Sequence, residues 1–233
     1  MADQVPSPPK ASKGDIAHST ARALLGSIPT VGNAVVEFFQ LLLGPPLERR
    51  RQEWFESVAE GINKLNEQQK CVVDDLCSND KFIDTFMQAS QAAVRTSQQE
   101  KREALRNAVM NAAVPHSPDE SRQHIFVNWI DSLSVWHLRM ARLFASPRAW
   151  YRANNRQPQQ FFNMSSRSQV LIHAYPELAN EQDFCNKLAK DLHNEGLLGT
   201  DNLKLMMSGH GAMDDSATPI GEEFMKFISD PTQ

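Results

Sequence analysis

From Ala23 to Leu47 the chain carries a single charge, Glu37, and the run closes on Pro45-Pro46. Within it the polar side chains Asn33, Glu37 and Gln40 recur at spacings of four and three. On a helix they form one narrow stripe, and Val31, Val35, Phe38, Phe39, Leu42 and Leu43 cover the remainder. At roughly 25 cal/mol per Å² of apolar surface, leaving those side chains in water would forgo on the order of 10 kcal/mol, as much as the stability of a whole domain. The pattern predicts a covered helix, either surrounded by the protein's own helices or laid in a membrane surface. Asp15 to Ser27 has helical character, and Ile28-Pro29-Thr30-Val31-Gly32 breaks it, so the two pieces form an apolar helical hairpin. Pro45-Pro46 reads as the opening turn of a further helix, Leu47 to Gln69, with Trp54, Phe55, Val58, Ile62 and Leu65 at helical spacing.

Helical periodicity continues downstream. Ser78 or Asn79 is placed to cap a helix holding Phe82, Ile83, Phe86, Met87, Ala89, Ala93 and Val94. Ser97, with Glu100 as reciprocal partner, is placed to cap the next, which runs to about Ala113. A helical bundle over 14–114 follows, with the alanine-rich faces as contact points for the hairpin. Residues 115–119 carry two prolines and no apolar period, as a linker does. Beyond them Glu120 to Leu133 and Ser134 to Ala145 read as helices. So does Asn180 to Glu195, which has Phe184, Leu188 and Leu192 on one face and Gly196 as a left-handed cap. Leu197-Leu198 and Leu203 to Met207 read as short strands, Gly209-His210-Gly211 as a loop tip, and Thr218-Pro219 as the start of a closing helix with Phe224, Phe227 and Ile228 inward. The expected fold is mainly α: an N-terminal helical bundle plus a C-terminal winged helix-turn-helix-like domain over 120–229 with a short β ribbon.

Four stretches carry a resemblance. They are Ile28-Pro29-Thr30-Val31-Gly32, the run from Pro46 to Trp54 (PLERRRQEW), the run from Gln98 to Val109 (QQEKREALRNAV), and Thr218-Pro219-Ile220-Gly221-Glu222-Glu223-Phe224. Through them the chain resembles a family of uncharacterised bacterial proteins with an N-terminal apolar helical hairpin bundle and a C-terminal winged-helix-like domain. The resemblance extends over nearly everything after residue 15. It implies the two-part architecture and no catalytic residue.

Composition narrows the classes. A net charge of -4 gives no global pull towards nucleic acid or acidic lipid, so any such affinity must be local. Cys71, Cys77 and Cys185 are odd in number and scattered, which argues against a disulfide framework or zinc site and for a reducing, cytoplasmic setting. Met1 to Lys13, with three prolines and no apolar run, reads as a disordered lead. Pro29, Asn33, Glu37 and Gln40 make the apolar run a poor transmembrane span, which leaves peripheral attachment at an inner membrane as the membrane reading.

Chemistry is sparse. No glycine-rich phosphate loop, His-Glu-x-x-His helix, nucleophile elbow or calcium loop occurs. The seven histidines are spread singly, and no cofactor, metal or enzymatic activity is expected. Two patches remain. Val31, Val35, Phe38, Phe39 and Leu42 with the basic knot Arg49, Arg50 and Arg51 are candidates for a membrane or partner contact, self-association included. Arg139, Arg142, Arg148, Arg152, Arg156 and Arg167 stand in a stretch with no acidic residue between Asp131 and Glu177, interleaved with Trp150, Tyr151, Phe161 and Phe162. They are candidates for nucleic-acid or anion binding. Against groove reading of duplex DNA, residues 181–195 carry Lys187 and Lys190 against Glu181, Asp183, Asp191 and Glu195, a sum of 2 - 4 = -2. The leading expectation is thus a non-enzymatic interaction or effector protein. A DNA-binding regulator using 139–167 and a constitutive scaffold are the alternatives.

Overall fold

The computed structural model describes residues 33–157 and 164–232, with side chains from residue 44 onward. The helix expected over 15–27, the joint at Pro29 to Gly32, the side chains of Val31, Val35, Phe38, Phe39 and Leu42, and the rings of Phe161 and Phe162 lie outside the described residues. Among the described residues the protein is mainly helical, with one antiparallel pair of two-residue strands. It divides into two compact units, Met1–Val127 with Asp230–Gln233, and Asn128–Ser229.

In the first unit, α1 (Asn33–Glu67) is followed by the single turn α2 (Val73–Leu76), then by α3 (Asp80–Arg95) and α4 (Gln99–Ala113). Helices α1, α3 and α4 pack on one another. Ala89, Ala92 and Ala93 of α3 and Ala104, Ala108 and Ala112 of α4 are buried, and their small side chains let the two backbones approach closely. Trp54, Val58, Ile62 and Leu65 supply the buried face of α1. Asn79 caps α3, its side chain accepting from the Phe82 amide at 3.1 Å. Two buried polar groups close on each other where Thr85 Oγ1 donates to Gln123 Oε1 at 2.5 Å, while Gln123 Nε2 donates to the Pro118 carbonyl.

Two expectations fail here. Pro45 and Pro46 do not open a new helix but lie inside α1, which is continuous from the apolar run to Glu67. Proline fixes φ at a helical value, and its lost amide bond and the clash of its ring with the carbonyl four residues back cost energy without forbidding the helix; Gly44, lacking a Cβ, removes part of the clash that a residue before proline ordinarily meets. Ser97 does not cap α4. The helix begins at Gln99 behind Gln98, which makes no side-chain cap, and the Gln98 amide is taken instead by the Thr96 hydroxyl at 3.2 Å.

The second unit holds α6 (Val135–Ala145), α7 (Pro147–Ala153), β1 (Met164–Ser165), α8 (Arg167–Ala174), a 3-10 turn (Pro176–Leu178), α9 (Gln182–Asn194), β2 (Met207–Ser208), α10 (Gly209–Ala212) and α11 (Pro219–Phe227). It also takes the end of α5 (Glu120–Ser132). Its core includes Leu138, Phe144, Tyr151, Leu188, Leu192, Leu203, Phe224 and Phe227. Trp129 of α5 meets Phe224 edge-on at 5.4 Å and donates its indole N–H to Glu195 at 2.8 Å. Helix α9 stops as expected at Gly196, whose φ of 74° is left-handed. Thr218 caps α11 by accepting from the Gly221 amide.

The ribbon differs from expectation. Leu197-Leu198 is not a strand, because both amides turn back to the Leu192 carbonyl, and only an isolated bridge joins Leu198 to Ala217. Leu203 to Met207 yields only the strand Met207–Ser208, and its partner is β1, with Met164 opposite Ser208 and Ser165 opposite Met207. Gly209-His210-Gly211 is no loop tip. It is the turn α10, nucleated by the Ser208 hydroxyl accepting from the Gly211 amide at 3.1 Å.

Candidate interaction surfaces

The six arginines do not form one free patch. Arg148 of α7 donates from Nε to the Met213 carbonyl at 3.4 Å and from Nη2 to the His210 carbonyl, and pairs with Asp214 at 3.3 Å. Arg167 of α8 reaches the Asp214 carbonyl and the Met207 sulfur, with its Nε buried and unpartnered. Burial pushes the Arg167 guanidinium below its ordinary range, against the attraction of Asp214. Both arginines therefore serve the turn at the end of α10, adding side-chain donors where the Met213 and Asp214 amides already close the turn on the His210 and Gly211 carbonyls. Asp214 was not foreseen as their partner, since its distance in sequence hides the pairing.

Arg139 and Arg156 lie over rings instead. The Arg139 guanidinium carbon is 4.7 Å from the Trp136 ring centroid, and that of Arg156 is 6.0 Å from Trp150, with Arg156 Nη1 donating to the Ala174 carbonyl at 2.6 Å. Tyr175 stands between the two indoles, edge-on to Trp136 at 5.5 Å and to Trp150 at 5.3 Å. The fold thus builds a row, Arg139, Trp136, Tyr175, Trp150, Arg156, from α6, the end of α8, α7 and the segment just after it. Trp136 and Tyr175 were not among the residues expected at the site, although Trp136 and Arg139 stand three apart on a helix, where a ring and a cation meet. Arg142 and Arg152 make no hydrogen bond or ion pair among the described residues.

Tyr151 lies beneath this row, buried, its hydroxyl within 3.1 Å of the Val170 carbonyl and 2.9 Å of His173 Nδ1. Burial raises its phenol to about 12, so it stays a neutral hydrogen-bonding group at any ordinary pH.

The basic knot at the head of α1 is partly engaged. Arg49 pairs with Glu53 one turn on at 3.6 Å, and Arg51 lies 5.6 Å from the Phe55 centroid. Between Gly44 and Glu53 no residue is buried, and the first buried described side chain on the helix is Trp54. In the second unit Met164, Leu205 and Met206 are each more than half exposed around the ribbon. Among the described residues no helix is long and apolar enough to cross a membrane, and no three His, Cys, Asp or Glu side chains gather as a metal site would require.

No protein-family description, curated protein or solved structure matches the chain.

Proposed function

We propose that the protein is a non-enzymatic interaction protein whose contact element is the apolar run at the head of α1, and whose second unit is a docking unit of the winged-helix kind. One observation carries the first part: the apolar run from Asn33 onward and the bundle's core face share one continuous helix, and the described burial on it starts only at Trp54. An apolar arm joined helically to an anchored rod transmits whatever it binds directly to the bundle. Beside it Arg49, Arg50 and Arg51 offer cations to anionic headgroups, each adding about 1 kcal/mol near such a surface. The proposed occupant is an anionic membrane interface, approached from the cytoplasm, in which the arm lies rather than spans.

The winged-helix reading rests on order and pairing. A short strand precedes α8, α8 and α9 follow as a helix pair, and the bridge Leu198–Ala217 and the closing helix α11 come after them. Helix α9 makes a poor groove reader, because Lys187 is held by Asp191 and Glu195 by Trp129, so the unit is assigned to docking. Sedimentation of vesicles with and without anionic lipid tests the arm. Binding that needs anionic lipid and falls with salt supports the proposal; equal binding to neutral vesicles contradicts the role given to the basic knot. A concentration-dependent dimer without vesicle binding would mean that the arm's partner is a second copy.

A further inference from the structure

The second unit carries a surface that the membrane reading does not use. We propose that the row Arg139, Trp136, Tyr175, Trp150, Arg156 is a binding surface for single-stranded nucleic acid. Of the four tryptophans, Trp54 and Trp129 are 3% and 8% exposed, and their indole N–H groups bond Ser90 and Glu195. Trp136 and Trp150 are half-buried, and neither indole N–H has a partner among the described residues. Two wet indoles and a half-buried tyrosine, placed edge to face within 5.5 Å of one another, leave ring surface at which unpaired bases stack.

Charge favours the same ligand. The rings and arginines of the row fall within 132–176, where no carboxylate occurs. Glu177, exposed just beyond Tyr175, is the nearest acid in sequence. Arg142 stands three residues past Arg139 on α6, and Arg152 two past Trp150 on α7. Both are free of intramolecular partners among the described residues, as cations waiting on a phosphate backbone would be. A duplex fits less well. Its bases are stacked already, and the helix suited to a groove has the wrong sign of charge. An acidic peptide would satisfy the arginines and leave the rings without a partner.

The test is a titration of the full-length protein with a labelled single-stranded oligothymidylate at low salt, followed by anisotropy and tryptophan emission. Binding should quench the emission and weaken linearly on a logarithmic salt scale. Arg142→Ala with Arg152→Ala should reduce that slope by about 1.4, two phosphates at roughly 0.7 each, with the melting temperature unchanged. Trp136→Ala should weaken binding roughly tenfold, whereas Trp136→Phe should retain most of it. The proposal is overturned by no binding, by equal affinity for duplex, polyglutamate or anionic vesicles, or by a Trp136→Ala protein that stays folded and binds unchanged. Vesicle binding through α1 stands or falls separately, because none of these variants touches that helix.

Discussion

His137 divides its two ring nitrogens between its own helix cap and a neighbouring helix. Nδ1 accepts the Ser134 amide at 3.1 Å, completing the capping box of α6, and Nε2 lies 3.2 Å from Asp191 on α9. That arrangement requires the neutral ring with its proton on Nε2, since a proton on Nδ1 would face the Ser134 amide donor to donor. Burial lowers the His137 pKa below 6.5 and outweighs the pull of Asp191, so the contact is a hydrogen bond to a neutral imidazole at neutral pH. As pH falls below 6.5 the unfolded chain takes up a proton that the folded ring resists, and stability declines. The Asp191 carboxyl, held down chiefly by Lys187, adds a loss of the same sign below 3.8. Thermal unfolding across that range should show the first decline in the native protein and not in His137→Gln. Gly221 gives a sharper steric test: a Cβ there would sit 2.2 Å from the Leu197 carbonyl oxygen. Gly221→Ala should cost about 1–3 kcal/mol in urea unfolding, because backbone has to move. Among the thiols, Cys77 is exposed, while Cys71 and Cys185 are buried and their pKa values raised by desolvation. A maleimide applied to the native protein should mark Cys77 alone, as peptide mass spectrometry would show.

At the scale of elements, caps separate what the sequence discloses from what it hides. Asn79→Ala should cost about 1 kcal/mol, whereas Ser97→Ala should stay within about 0.5 kcal/mol, both by urea unfolding, since only Asn79 holds a helix amide. Most helices were legible, because Ser134, Gly196 and Thr218 mark their ends with local chemistry and the apolar period marks their faces. Strand pairing was not. Whether Met207 meets Ser165 or Leu198 depends on where the Leu197 and Leu198 amides go, and they go back to Leu192. Pro45-Pro46 misled for a related reason: proline in a helix costs energy without forbidding the geometry, and only the surrounding chain decides. The candidate surfaces divide in the same way. The run of arginines was plain in the sequence, while the partners that occupy Arg148 and Arg167 lie forty or more residues away. The rings that Arg139 and Arg156 cover stand three and six residues from them, within reach of local inspection.

For the whole molecule, the proposed contact element is an apolar arm continuous with a core helix. The bundle holds α1 through Trp54, Val58, Ile62 and Leu65, and Pro45 and Pro46 lie between that held segment and the arm. Flotation of the full-length protein with vesicles containing anionic lipid, compared with Phe38→Glu, tests this most directly. The native protein should rise with the vesicles, and Phe38→Glu should remain at the bottom of the gradient with an unchanged melting temperature. A native protein that never floats and never self-associates, or a Phe38→Glu protein that floats as well as the native one, would contradict it.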